Sequence, residues 1–300
     1  MAKRIEFIAL YLLTQFFRYM PFFIVYTVSW CAYILVFYFI GYRKKVVYEN
    51  LRNAFPEMSK PGLKKIAKRF YHNFCDVLAE TLKGVFMSER SLKKRFLVLN
   101  PELVDNFYYQ NKSVIAMGAH YGNSEWGKIL GMQLKHPLIV IYSPFSNKYI
   151  NQYYNRCRTK FGMQLVNVSK TFRVFTELRN KPHGYIMGVD QRPFDQKSAY
   201  WLSFLNQDTP CHKGYEQLAR KFNIPVVYSD IQRVKKGYYT VNYILLCKDP
   251  SGTEEGEIVR RFMQTLEKII YRKPEDWLWS HKRWKYQRPN ACPSGVIDAG

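Results

Sequence analysis

The sequence predicts an α/β fold: a mainly parallel central sheet flanked by helices, preceded by an N-terminal hydrophobic helical region that anchors to a membrane. Two patterns carry this expectation. Short apolar strands recur with helix-like segments between them, as in βαβ units. Ahead of them, Met20–Gly41 runs 22 residues without an Asp, Glu, Lys, Arg or His. The 300-residue chain is long enough for a substantial core. With 47% hydrophobic and 23% charged residues it is not a disordered chain.

In chain order, Phe7 to Phe17 is apolar and flanked by Lys3, Arg4 and Arg18, and the uncharged stretch Met20–Gly41 follows. As a helix that stretch is long enough to cross a bilayer core of roughly 30 Å or to lie deep within it. Arg43, Lys44 and Lys45 follow at once, then Arg52, Lys60, Lys64, Lys65, Lys68 and Arg69. Basic residues beside a hydrophobic segment favour the cytoplasmic side and anionic headgroups. The apolar stretch is too long for a cleavable signal peptide, and no small-residue cleavage site precedes the basic run. Residues 1–42 therefore read as an anchor, spanning or monotopic, against the blander alternative of a buried core helix.

From about 60 to 86, Leu63, Ile66, Ala67, Phe70, Phe74, Val77, Leu78 and Leu82 repeat at helical spacing. Strands are expected at Val114–Met117, Leu138–Tyr142, Tyr185–Val189, Pro225–Asp230 and Tyr238–Leu246. Helices are expected at about 124–134, 147–161, 171–180, 213–222 and 255–271. No repeat or low-complexity linker interrupts residues 43–289, which read as one catalytic unit; residues 290–300 read as a loose tail.

Lys+Arg 46 less Asp+Glu 23 gives a net charge of +23, which calls for an anionic partner: nucleic acid, an anionic membrane, or an acidic protein or substrate. Six cysteines without a CxxC give neither a zinc site nor a disulfide framework, and read as reduced thiols facing the cytoplasm. No metal site is expected.

In a parallel sheet the reactive groups gather beyond the carboxyl ends of the strands. Those ends supply His120, Ser143, Asp190 and Asp230. The first lies in Gly118-Ala-His120-Tyr-Gly122-Asn123-Ser124-Glu125, where the glycines allow a tight turn and close approach of a substrate to backbone N–H groups. Asn123 or Ser124 caps the next helix, and Glu125 sits in its first turn. From there its carboxylate can fold back onto the His120 imidazole, fix the tautomer and make the free nitrogen a better base. The blander alternative is a histidine hydrogen-bonded within a loop.

The blocks YRKKVVYENLRNAFPEMS, AHYGNSEWG and PEDWLWSHKRWKYQRP, in that order behind a basic hydrophobic N-terminus, resemble the late acyltransferases of lipid A biosynthesis, from about residue 7 to 289. These are lauroyl and myristoyl transferases of the wider lysophospholipid acyltransferase superfamily. The resemblance implies transfer of an acyl chain from acyl carrier protein, or alternatively coenzyme A, to a hydroxyl of a lipid A precursor at the cytoplasmic face of the inner membrane, with no cofactor. It makes His120 the general base and Glu125 the residue that orients and charges it. Arg156 and Arg158 match paired arginines that bind phosphate or support the oxyanion, with Arg158 favoured over the alternative of an exposed basic helix face. Asp190 matches an acidic position whose side chain contacts His120 in place of Glu125, positions the acceptor, or caps a turn. Arg192 and Lys197 are candidate phosphate contacts, and Gly122 and Asn123 candidate substrate or oxyanion contacts. His212 stands where small hydroxyl residues are usual in the family, a departure that bears on acceptor and chain length.

Trp277, Trp279 and Trp284 interleave with His281, Lys282, Arg283 and Lys285. Such a segment suits a membrane interface, or packing of its rings against the core, or, less well beside an anchor, stacking on nucleic acid. His72, His136 and His183 read as structural or exposed. The leading expectation is thus a membrane-bound O-acyltransferase with acyl carrier protein, a glycolipid and an anionic membrane as partners and no nucleic acid. A lysophospholipid or aminolipid acyltransferase is the nearest alternative, and an anchored anion- or nucleic-acid-binding protein the non-enzymatic one.

Overall fold

The computed structural model describes residues 1–193 and 199–288. The expected tail, 290–300, lies outside the described residues. Helix α1 (Ala2–Tyr19) is followed by α2 (Phe22–Ile34), which continues through a wider π turn to Ile40. By length and composition, Phe22–Ile40 is the one helix among the described residues able to cross a membrane. It is not a free-standing rod. Val25 and Ser29 are buried against the rest of the chain, while Phe23, Trp30, Leu35 and Phe39 face outward.

Helix α3 (Lys44–Ala54) and the long α4 (Lys60–Gly84) come next, the latter capped by the Ser59 hydroxyl, which accepts from Gly62 N. The buried stripe of α4 includes Leu63, Ile66, Ala67, Phe70 and Tyr71 and then, unusually, Asp76 and Glu80. After α5 (Glu89–Arg95), strand β1 (Phe96–Val98) and α6 (Pro101–Tyr109), the alternation begins with β2 (Val114–Gly118), β3 (Leu138–Tyr142), α7 (Lys148–Thr159), β4 (Gln164–Asn167), α8 (Thr171–Glu177) and β5 (Gly184–Gly188). A separate hairpin, β6 (Tyr200–Phe204) and β7 (Gln207–Cys211), precedes α9 (Gly214–Phe222), β8 (Val226–Lys235), β9 (Tyr238–Cys247) and α10 (Glu257–Arg272).

Seven strands form one sheet in the order β1-β9-β8-β2-β5-β3-β4. All neighbours are parallel except β8 and β9, which pair as an antiparallel hairpin. The mainly parallel α/β expectation holds. Adjacent residues of β5 serve opposite faces, Tyr185 and Met187 packing into one core and Ile186 against another. On the first face the α10 stripe Ile258, Val259, Phe262, Leu266 and Ile270 is fully buried, at roughly 1.5–3 kcal/mol for each large aliphatic or aromatic side chain.

Three details differ from the sequence expectation. Residues Ser124–Met132 form a 3-10 segment rather than an α-helix. Gly127 and Gly131 weaken an α-helix there, and Gly131 lies so close to the Phe161 carbonyl that a Cβ would meet it. Strand β8 runs on to Lys235, so Asp230 is a mid-strand residue, bonded to Gln232 Nε2 at 2.6 Å, and not a residue at a strand end. The short strands β1, β4, β6 and β7 were not expected: β4 and β7 carry no apolar run of more than two residues, whereas β1 lies in the apolar run Phe96–Leu99 and β6 opens with Tyr200-Trp-Leu.

Candidate active site

Strands β2 and β5 are neighbours in register, with Gly118 opposite Gly188. Two residues beyond each glycine stand His120 and Asp190, side by side at the carboxyl edge of the sheet. His120 Nδ1 lies 2.7 Å from Asp190 Oδ1, and His120 N donates to Oδ2 at 3.0 Å. Trp277 Nε1 also donates to Oδ2, at 3.0 Å. An ionised carboxylate only accepts, so Nδ1 carries the ring proton and Nε2 is left basic. Burial alone pushes the Asp190 carboxyl up, but the His120 charge and these hydrogen bonds outweigh it and hold the group below its ordinary value. The same pairing works on the imidazole. Desolvation lowers it, the Asp190 charge and hydrogen bond raise it more, Glu125 adds to the rise, and the net pKa is raised above 6.5.

The carboxylate on the imidazole is therefore Asp190, and the expected fold-back of Glu125 onto His120 is corrected. Glu125 faces Arg158 of α7, which reaches Oε2 through Nε at 3.0 Å and Oε1 through Nη2 in a bidentate pair. The 3-10 segment turns Glu125 away from the ring, and its influence on His120 is through space. Arg158 lines the cavity described below, whereas Arg156 on the same helix is exposed and does not. Of the two arginines, only Arg158 belongs to the site.

Gly122 and Asn123, expected as substrate or oxyanion contacts, build the turn and are not among the residues that line the cavity. Gly122 has φ +63°, a left-handed conformation that favours glycine, and its N–H donates to the Asp276 carbonyl at 3.0 Å. Asn123 is fully buried; its Oδ1 caps the 3-10 segment by accepting from Trp126 N, and its Nδ2 donates to Glu80 Oε2 at 3.1 Å.

His120, Glu125 and Arg158 open onto a cavity of about 1240 Å³. Its lining includes the apolar side chains of Val140, Met163, Ile186, Ile231 and Val241. Basic residues line it as well, among them Arg192, His212, Lys213 and Lys221. Arg192 stacks its guanidinium 5.0 Å from the Tyr286 ring centre, and its Nη1 is buried without a hydrogen-bond partner among the described residues. Ser143 lines the cavity as well. Lys197 lies outside the described residues.

Sequence reasoning missed three participants. Lys213 and Lys221 gave no signal beyond general basicity. Trp277 sits 157 residues beyond His120, yet Tyr121 and Trp277 form a β-bridge and Leu278 N donates to the His120 carbonyl at 3.1 Å. The C-terminal tryptophans thus pack inward: Trp277 and Trp279 are buried, and Trp284 donates to Thr209 Oγ1. Their expected place at a membrane interface is replaced by the core-packing alternative. His281, close by, is held down to about 4 by burial and the neighbouring arginines.

A family model described as bacterial lipid A biosynthesis acyltransferase matches residues 3–286. The chain is 26% identical over 266 residues to a lipid A biosynthesis lauroyltransferase of Escherichia coli (strain K12), covering 85% of this chain and 83% of that protein. It is 22% identical over 250 residues to the lipid A biosynthesis palmitoleoyltransferase of the same organism, covering 82% and 80%. Among solved structures, the 1-acyl-sn-glycerophosphate acyltransferase of Thermotoga maritima aligns over 88% of this chain and 98% of that one, with a TM-score of 0.38 and 14% identity.

Proposed function

The chain belongs to the bacterial lipid A biosynthesis acyltransferase family, and on that premise we propose that His120, oriented by Asp190, is the general base for moving an acyl chain from a thioester to a hydroxyl of a lipid A precursor. The donor is acyl carrier protein or coenzyme A carrying the chain. The observation that carries this reading is the His120–Asp190 pair at the edge of a cavity lined by both apolar and basic residues.

The chemistry is simple and balances. His120 Nε2 accepts the proton of the attacking hydroxyl as its oxygen bonds to the thioester carbon. The tetrahedral oxyanion collapses, the C–S bond breaks, and the imidazolium returns the proton to the departing thiolate. A thioester is already activated, so one positioned base, worth roughly 10²–10⁴-fold, and one oxyanion donor of comparable weight are sufficient. Arg158 is the proposed donor, with Glu125 holding its guanidinium at a fixed angle. The apolar lining residues suit the acyl chain, and Arg192, Lys213 and Lys221 suit acceptor phosphates.

The outward apolar residues of α1, Ile5, Ile8, Leu12 and Phe16, lie at helical spacing, and with those of α2 they form a surface fit for lipid. The proposed location is the inner membrane with the catalytic unit on the cytoplasmic side, where the flanking basic residues favour it. The test is purified full-length enzyme with acyl carrier protein thioesters and a lipid A precursor, read by mass spectrometry. A product heavier by one acyl chain, absent with His120→Ala, is expected; equal product from folded His120→Ala overturns the assignment.

A further inference from the structure

The polar residues of α4 have no counterpart in an ordinary amphipathic helix. Glu80 is fully buried and its carboxylate accepts four hydrogen bonds. Oε1 takes Tyr26 OH of α2 at 2.9 Å and Gly237 N at 3.0 Å. Oε2 takes Tyr239 OH at 2.6 Å and Asn123 Nδ2 at 3.1 Å. One turn earlier Asp76, also fully buried, accepts from Ser29 Oγ of α2 at 2.5 Å and pairs with Arg233 Nη2 at 2.6 Å. The other arm of Arg233 reaches Asn73 Oδ1 at 2.6 Å; Asn73 Nδ2 donates to Asp276 Oδ1 at 2.6 Å; and the Asp276 carbonyl accepts from Gly122 N.

Two hydrogen-bonded routes therefore leave one face of the apolar helix, from Tyr26 and Ser29, and end on adjacent residues, Asn123 and Gly122, of the turn between His120 and Glu125. An apolar contact would hold α2 in place at less electrostatic risk, because a buried carboxylate is costly unless fully partnered. What a satisfied polar network adds is a fixed geometry.

We propose that α2 is a working part of the active site, with Glu80 and Asp76 as positioning residues that fix the His120–Glu125 turn to it. Anchoring and catalysis then share one helix: its outward face meets lipid and its inward hydroxyls set the turn. The inference rests on His120 acting as the base.

The test uses the full-length chain in detergent-solubilised form, with Tyr26→Phe and Ser29→Ala, each removing one hydroxyl that lies outside the cavity. Folded enzyme is counted by resistance to limited proteolysis, and acyl transfer is followed beside thioester hydrolysis. The ratio of transfer to hydrolysis does not depend on how much enzyme is folded. Each variant is expected to lose roughly ten- to a hundredfold in kcat with KM little changed, the scale of a small misplacement of reacting groups. The transfer-to-hydrolysis ratio is expected to fall with it. Phe39→Ala, on the outward face, is expected to weaken membrane retention and leave solubilised turnover unchanged. If both hydroxyl variants keep the parent kcat and ratio while His120→Ala abolishes transfer, the positioning role is wrong and the base assignment stands. If His120→Ala itself retains transfer, the reading beneath it fails first.

Discussion

Asp190 Oδ1 sits 2.7 Å from His120 Nδ1 because β2 and β5 run parallel with Gly118 opposite Gly188, so residues two places beyond each glycine meet. The contact is a product of sheet register rather than of local sequence. Its consequences are measurable.

Asp190→Asn keeps the size of the side chain but loses the charge, and its amide can donate to Nδ1 and reverse the tautomer. Turnover is expected to fall by about 10²–10⁴-fold, in line with an orienting carboxylate. Steady-state assays on folded protein check this; a loss below about threefold contradicts it.

The activity should have an acid limb. The imidazole pKa is raised above 6.5, chiefly against burial by the Asp190 charge. Protonation removes the base, so kcat/KM rises with pH through a midpoint above 6.5. In Asp190→Asn the opposing burial remains and the charge is gone, so the midpoint of the residual activity moves down. An unchanged midpoint contradicts the pairing.

Arg158 and Glu125 act as one unit. Arg158→Lys loses the bidentate geometry and is expected to cost about 10–10³-fold in kcat, as loss of an oxyanion donor does. Adding Glu125→Gln to it should cost much less than the product of the two single effects. Full additivity in a double-variant cycle contradicts the linkage.

Arg192→Gln should raise KM for a phosphorylated acceptor by about tenfold, since a charge-assisted hydrogen bond is worth roughly 1.5–3 kcal/mol. The kcat should hold. The matching dephosphorylated acceptor should show no such difference between the two enzymes, and an equal KM rise with it contradicts a phosphate contact.

Gly122→Ala tests the turn. At φ +63° a Cβ is strained, and its nearest neighbours, Ile231 and Tyr239, are already at 3.4 Å. A loss of about 1–2 kcal/mol in stability is expected, visible as a lowered melting midpoint together with reduced turnover.

Much of this was legible in the chain. The five apolar strands, the helix from 60 and the uncharged stretch Met20–Gly41 follow from periodicity alone, and His120 follows from its place after a strand and between glycines. Asp190 was legible as a residue at a strand end, and contact with His120 was one of the three roles the family resemblance offered it; the choice among them was not legible, because parallel neighbours are set by tertiary pairing across a long crossover. Glu125 misled for the converse reason: five residues from His120 it looked near, and a 3-10 segment with two glycines sends it to Arg158 instead. Trp277 gave no local hint, since its indole reaches Asp190 only once the C-terminal segment has closed over the sheet edge. Asp76 and Glu80 sat in an otherwise ordinary amphipathic pattern, and nothing in it announced that both face inward.

The most direct measurement is the mass of lipid A from cells in which this chain is the sole source of one acylation. With the unaltered chain, lipid A carries the full acyl complement; with His120→Ala or Asp190→Asn expressed at equal level, it should be lighter by one acyl chain. Full acylation supported by His120→Ala, or unchanged lipid A beside an altered phospholipid in cells lacking the chain, would contradict the account.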